Sequence, residues 1–154
     1  MIEACLPRFE ELWFRQKMLS DEATMAYNRA WGGVIDFPEE TWPGWYDRWV
    51  AHPAGRYYRY LRESVSGEFV GEIAYHFDGE KYLADVIVYA PYRRRGYGAA
   101  GLALLCAAAK KNGVDTLYDD IAADNPSVAL FLRSGFTVEY RTDEIVMVKK
   151  TLTD

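Results

Sequence analysis

The chain has 154 residues, half of them hydrophobic and 27% charged, which suits one packed domain over 1–154 and argues against disorder. A net charge of −5 and a pI near 5.1 argue against a general nucleic-acid binder, and two cysteines, Cys5 and Cys106, form neither a disulfide framework nor a cysteine metal site. No apolar run is long enough to span a membrane, and the opening MIEACLPRFEE lacks the basic start and apolar core of a signal peptide, so a cytoplasmic protein with neither nucleic-acid nor membrane partners is expected.

In chain order, residues 12–18 are predicted as a first strand. Residues 21–29 read as a short helix, with Ser20 as N-cap and acids in the first turn. A loop carrying Gly32, Gly33 and Pro38 follows. Residues 39–51 read as a second helix, despite Pro43 and Gly44 near its start. Trp42, Trp45, Tyr46 and Trp49 recur there at i, i+3, i+4 and i+7, on one face. The period then shortens to two. Residues 56–63, 68–77 and 81–89 are rich in β-branched and aromatic side chains and are separated by glycine-bearing turns, which predicts a three-stranded meander. Residues 96–111 form an apolar, alanine-rich helix closed by Asn112-Gly113. A strand at 114–121, a helix at 126–134 and a hairpin at 136–140 and 145–149, turned at Asp143-Glu144, complete an α/β domain with a mixed sheet.

The most informative stretch is VIVYAPYRRRGYGAAGL, residues 86–102. A buried strand runs into Arg93-Arg94-Arg95-Gly96-Tyr97-Gly98, and that loop opens a helix. Glycines let the backbone approach a ligand and turn its N–H groups towards it. A helix N-terminus adds unpaired donors and partial positive charge, and the three arginines add full charge. Together they suit a diphosphate. The lack of a Lys-Ser/Thr ending sets the loop apart from a nucleoside-triphosphate P-loop.

On these residues the chain resembles the GNAT superfamily of acetyl-CoA-dependent N-acetyltransferases. Arg93, Gly96 and Gly98 match its pyrophosphate motif, Arg/Gln-x-x-Gly-x-Gly/Ala, and Val88 stands eight residues ahead of Gly96 on the preceding strand. DNPSVALFLRSGF, residues 124–136, matches a second signature, an Asn followed by a short helix ending in Gly-Phe. The resemblance implies a GNAT-like mixed, mostly antiparallel central sheet of about seven strands with about four helices. It implies acetyl-CoA as co-substrate, without a metal. Main-chain groups at Ile87, Val88 and Tyr89 would hold the pantetheine arm. The amides of Arg94, Arg95, Gly96, Tyr97, Gly98 and Ala99 would hold the pyrophosphate. Asn125 would lie near the sulfur, and the strands carrying Ile87 and Asp120 would be parallel and splayed, leaving a slot. The implied reaction is acetyl transfer to a primary amine by direct attack in a ternary complex. No cysteine is placed as a nucleophile, since Cys106 lies inside a predicted helix. A small-molecule amine or a peptide N-terminus would be the acceptor, and the family's habit of dimerising leaves room for a homodimer.

Such a reaction needs a base. With an amine pKa of about 10.4, only about one molecule in a thousand is free nucleophile at neutral pH. Ribosomal-protein-type N-terminal acetyltransferases of the family use a glutamate on the strand before the Asn, and the resemblance puts Asp120 of LYDDIAADN at that position, one methylene shorter, so that a water would bridge. Glu72 and Asp85 are the other carboxylates on predicted core strands. The position of the base in histone-type members is Tyr82 here, which does not support that route. Phe131 stands where many members carry a tyrosine that protonates the leaving thiolate, so Tyr89, Tyr118, Tyr140 or water would serve instead. That departure keeps a second reading open: a catalytically weak acyl-CoA-binding sensor or regulatory module.

Plainer roles compete for several of these residues. Asp119 and Asp120 alternate across one strand, so one at most is expected to face the slot. Glu72 could pair with Arg59 across the meander, and Asp85 is open to the same reading. His52 and His76 lack metal-ligand spacing, Cys106 reads as a core filler, and the tryptophan stripe reads as core packing that in part borders the acceptor cleft.

Overall fold

The computed structural model describes residues 1–152, apart from the side chains at 29 and 30. The strands are β1 (Ile2–Cys5), β2 (Arg56–Glu63), β3 (Phe69–Phe77), β4 (Tyr82–Val88), β5 (Thr116–Ala122), β6 (Thr137–Arg141) and β7 (Ile145–Thr151). The α-helices are α1 (Trp13–Leu19), α2 (Trp42–Tyr46), α3 (Tyr97–Lys111) and α4 (Ser127–Arg133). All seven strands join one sheet in the order β1-β2-β3-β4-β5-β7-β6. Each pairing is antiparallel except β4 with β5.

Strand alternation divides the core into two. Ile73 and Tyr75 of β3, Ala84 of β4, and Leu117 and Ile121 of β5 pack under α3, with Leu102, Leu105 and Ala109. On the opposite face, Tyr58, Tyr60 and Ala74 pack against Phe14, Met18, Leu19, Trp42 and Trp45. The contact under α3 is close. A Cβ at Gly101 would lie 2.8 Å from Leu61 Cδ1 and 3.3 Å from Ile73 Cγ2.

The parallel pair is the structural origin of the site. It is registered only at Tyr82 with Leu117 and Leu83 with Tyr118. Beyond those residues β4 stays paired to β3 as far as Val88, and β5 stays with β7 as far as Ala122. The two strands therefore part, as the splayed slot requires.

The N-terminal third departs from expectation. Residues 12–18 were expected as a strand, but Trp13–Leu19 is helical and the first strand is Ile2–Cys5. Leu12 and Phe14 suggest alternation. Phe14, Met18 and Leu19, all buried, instead follow the i, i+4 spacing of a helix face. The four-residue β1 is an edge strand whose order comes from β2, with Ile2 opposite Glu63 and Cys5 opposite Tyr60. Residues 21–29 form no α-helix, and a 3₁₀ segment covers Ala26–Trp31. Ser20 does not open a helix but closes α1, with its hydroxyl donating to Lys17 O at 3.0 Å. Asp21 takes the capping part, accepting the Thr24 N–H at 3.0 Å. Residues 39–51 are helical throughout but change pitch, from 3₁₀ (Glu39–Thr41) through α2 to a π-turn (Asp47–Ala51). Pro43 sits at the start of α2, where its missing N–H costs no bond.

Candidate active site

Where β4 and β5 part, a cleft of about 730 Å³ runs through the sheet from the α3–α4 face to the α1–α2 face. Its walls combine Gly98, Ala99, Leu130 and Phe131 from one side with Arg15, Trp45 and Trp49 from the other. The main chain of β4 is exposed along it. Tyr89 donates its N–H to Val70 O at 2.8 Å. Antiparallel alternation then turns the N–H and C=O of Val86 and Val88 away from β3, into the gap. On the β3 side the backbones are in close contact: a Cβ at Gly71 would lie 2.3 Å from Ile87 O.

The turn after β4 forms the other half of the site. Arg94 and Gly96 take left-handed conformations, φ 65° and 81°, and a Cβ at Gly96 would meet nothing within 4 Å. Ala100 donates to Gly96 O at 3.1 Å, beginning the ladder of α3. The amides of Tyr97, Gly98 and Ala99 precede it at the helix's positive end. Gly98 serves space as well, since a Cβ there would lie 3.1 Å from Leu130 Cδ2 across the cleft wall. An open glycine turn, consecutive amides and a slot that passes through the sheet fit a long ligand with an anionic end.

Ile87, Val88, Arg93, Arg94, Gly96, Tyr97, Gly98, Ala99, Asn125 and Phe131 all line the cleft. Tyr89 and Arg95 do not. The Tyr89 ring packs edge-on to Phe14 at 5.9 Å, and Arg95 lies over Tyr92 and 4.0 Å from Glu63. The Arg93 guanidinium is engaged with main-chain carbonyls rather than turned outward, donating to Val88 O, Ala23 O and Thr24 O. The Asn125 side-chain oxygen accepts the N–H of Ser127, the first residue of α4, at 2.9 Å. Phe131 packs against Phe136 at 4.9 Å and has no proton to give. Neither Tyr118 nor Tyr140 lines the cleft, whereas Tyr27, Tyr58, Tyr92 and Tyr97 do.

All the carboxylates singled out in the sequence converge here. Glu72, Asp85, Asp119 and Asp120 line the cleft together. Alternation does point Asp119 and Asp120 to opposite faces, but the gap is open to both, so the expectation that one at most would face it fails. Glu72 is 1% exposed and accepts the Tyr58 hydroxyl at 2.6 Å. Its cation is Arg15, 3.7 Å away, not Arg59, which lies over Tyr57 and donates to Tyr58 O. The sequence reading did not single out Arg15. It sits on a helix where a strand was expected, its guanidinium 4.5 Å from the Trp45 ring centroid and 4.7 Å from that of Phe37. Burial and Glu72 push the Tyr58 phenol well above its ordinary value.

Asp85 is exposed, but into the cleft, with crowded protein walls around it. Loss of water and the neighbouring Glu72 push its carboxyl up to about 7, with Arg15 pulling the other way. Asp119 is also raised well above the usual carboxylate range, by burial and by repulsion from Asp85 and Asp120. No group of three or more His, Cys, Asp or Glu among the described residues could hold a metal ion. No helix among them is long and apolar enough to cross a membrane.

An antiparallel-dominated sheet opened at one parallel pair, with a glycine turn and a helix N-terminus at the opening, is an architecture found among acyltransferases. Residues 15–136 match the model of the acetyltransferase (GNAT) family, and the chain belongs to that family. The fold is similar to that of spermidine N-acetyltransferase from Vibrio cholerae, solved in complex with CoA and spermine, at TM-score 0.83 and 12% identity over 98% of this chain and 95% of that one. It is similar to an N-acetyltransferase from Staphylococcus aureus Mu50, at TM-score 0.78 and 18% identity over 99% and 98%. A third similar structure is the PaiA N-acetyltransferase of Thermoplasma acidophilum in complex with coenzyme A, at TM-score 0.72 and 14% identity over 98% and 99%.

Proposed function

We propose that the protein moves the acetyl group of acetyl-CoA to the primary amine of a small molecule, by direct attack within a ternary complex. The observation that carries this reading is the gap between β4 and β5, which joins an amide-lined turn on one face to a carboxylate-lined chamber on the other. Bound acetyl-CoA supplies an activated acyl group on a thiol that leaves readily, with a pKa of about 8.5. The amides of Tyr97, Gly98 and Ala99 hold its diphosphate, and the outward main-chain groups of Val86 with the Val88 N–H hold the arm and orient the carbonyl, the Val88 carbonyl being engaged by Arg93. Asn125, whose Oδ1 is committed to α4, has its Nδ2 donors for the cofactor.

On the acceptor side Asp85 accepts the proton of the incoming ammonium. It faces the cleft and has an affinity for protons matched to neutral pH. Glu72, held by Tyr58 and Arg15, maintains that affinity, and Asp120 stands across the gap as a second carboxylate. The acids and the rings of Trp45, Trp49 and Tyr58 favour a cationic acceptor. The similar Vibrio cholerae structure is likewise in complex with a polyamine, spermine.

The test is release of free CoA thiol with a panel of primary amines. Thiol release that depends on an added amine is the expected result, and tight CoA binding with no turnover across the panel overturns it. Phe131 favours that second reading, an acyl-CoA-binding module, because it places an apolar ring where a proton donor is otherwise found.

A further inference from the structure

We propose that Arg93 is a positioning residue that ties acceptor binding to coenzyme binding, by fastening the 21–31 loop to the strand end that leads into the anion turn. The proposal rests on the coenzyme site described above. Arg93 directly precedes the amides that form the turn, and its side chain points back. Nε donates to Val88 O at 3.2 Å, one terminal nitrogen to Ala23 O at 3.1 Å and the other to Thr24 O at 2.7 Å. The planar fork thus spans two chain segments about 70 residues apart, which a lysine's single ammonium would not do with the same geometry.

Thr24 completes the clasp from the loop side. It is 5% exposed, and its hydroxyl oxygen accepts the Ala90 N–H at 3.0 Å while donating to Asp21 Oδ2 at 2.6 Å. The loop lacks α-helix or strand of its own, and these bonds are what fasten it to the segment after β4. From it, Met25, Tyr27, Asn28 and Trp31 enter the cleft wall on the side shared with Trp45 and Asp85. Without Arg93 two loop carbonyls lose a charged donor, and the Thr24–Ala90 bond is left to hold the wall to the segment that leads into the turn, a looser coupling. With it, ordering the turn on a diphosphate also orders the wall, and linkage requires the effect to run both ways.

The experiment compares the native chain with Arg93→Met, Arg93→Lys and Thr24→Val. CoA affinity is measured by calorimetry, amide exchange of residues 20–33 with and without saturating CoA, and steady-state kinetics with the best amine of the panel. In the native chain CoA slows exchange of the loop. Arg93→Met is expected to keep the CoA dissociation constant within about threefold, to lose that slowing, and to raise the acceptor KM about tenfold with less change in kcat. Thr24→Val, which leaves the arginine in place, moves the same two readouts less far. Arg93→Lys falls between Arg93→Met and the native chain, and reports in its place should Arg93→Met not fold. A variant that loses CoA affinity about tenfold with the acceptor KM unchanged makes Arg93 a phosphate ligand and overturns the proposal. Equal slowing of the loop in native and variant chains overturns it as well. Failure of the native chain to bind CoA removes the coenzyme site itself, a separate result.

Discussion

Asp85 is set by three influences: the loss of water in a crowded cleft, the negative Glu72 beside it, and the opposing charge of Arg15. The first two outweigh the third, which leaves the carboxyl near 7 and half ionised where a base is needed. Replacing Asp85 by Asn is expected to lower kcat by about 10²-fold or more and to abolish a rise in kcat with pH centred near 7, read from steady-state thiol release. An unchanged profile would transfer the task to Asp120. The same substitution affects stability with a definite sign. Below about 3.9 the carboxyl is protonated in folded and unfolded chains alike. Between there and about 7 the folded chain keeps a proton that the unfolded chain has lost, so stability falls as pH rises through that window. Asp85→Asn is therefore expected to melt higher than the native chain at pH 8 and to show no such advantage at pH 3.5; thermal melts at the two values decide. Glu72 was legible in the sequence as a core carboxylate. Its partners were not: Tyr58 reaches it diagonally from β2, where Tyr60 is the residue directly opposite, and Arg15 stands on a helix that reads locally as a strand.

At the scale of elements, β4 is the decisive one. It must lie tightly on β3 and leave β5 early. Gly71 permits the first, since any side chain there would collide with the Ile87 carbonyl, a backbone atom that cannot rotate aside. Gly71→Ala is expected to cost about 2 kcal/mol or more of stability and to weaken CoA binding, read from urea midpoints and calorimetry. A variant with native midpoint and affinity would mean that the two backbones separate at no cost. Helix α3 begins where a left-handed Gly96 frees the turn, and the sequence placed both within a residue. Its RRRGYG string predicts the turn locally because glycine and helix-start chemistry act over a few residues. What the string does not reveal is that Arg93 turns back to the 21–31 loop while Arg94 lines the cleft and Arg95 joins Glu63.

For the whole molecule, a ligand that binds the folded chain alone must raise its stability. CoA at about a hundred times its dissociation constant is expected to add about 2.7 kcal/mol, seen as a rise in melting temperature. No shift with the cofactor would count against the coenzyme site. From β2 onward the order of elements, the meander, the glycine turn after β4, α3 and the final hairpin were determined by the sequence alone, because each follows from periodicity, glycine placement and capping among near neighbours. The N-terminal third was decided only in three dimensions. Ile2–Cys5 becomes a strand because β2 offers an edge, α1 is a helix because Phe14, Met18 and Leu19 find one face of the sheet, and 21–31 is ordered by groups distant in sequence. The same holds for the convergence of Glu72, Asp85, Asp119 and Asp120 on one space. Each lies on a strand that can be read from sequence, but their meeting depends on where two parallel strands part, and that is fixed by what each strand's other edge holds.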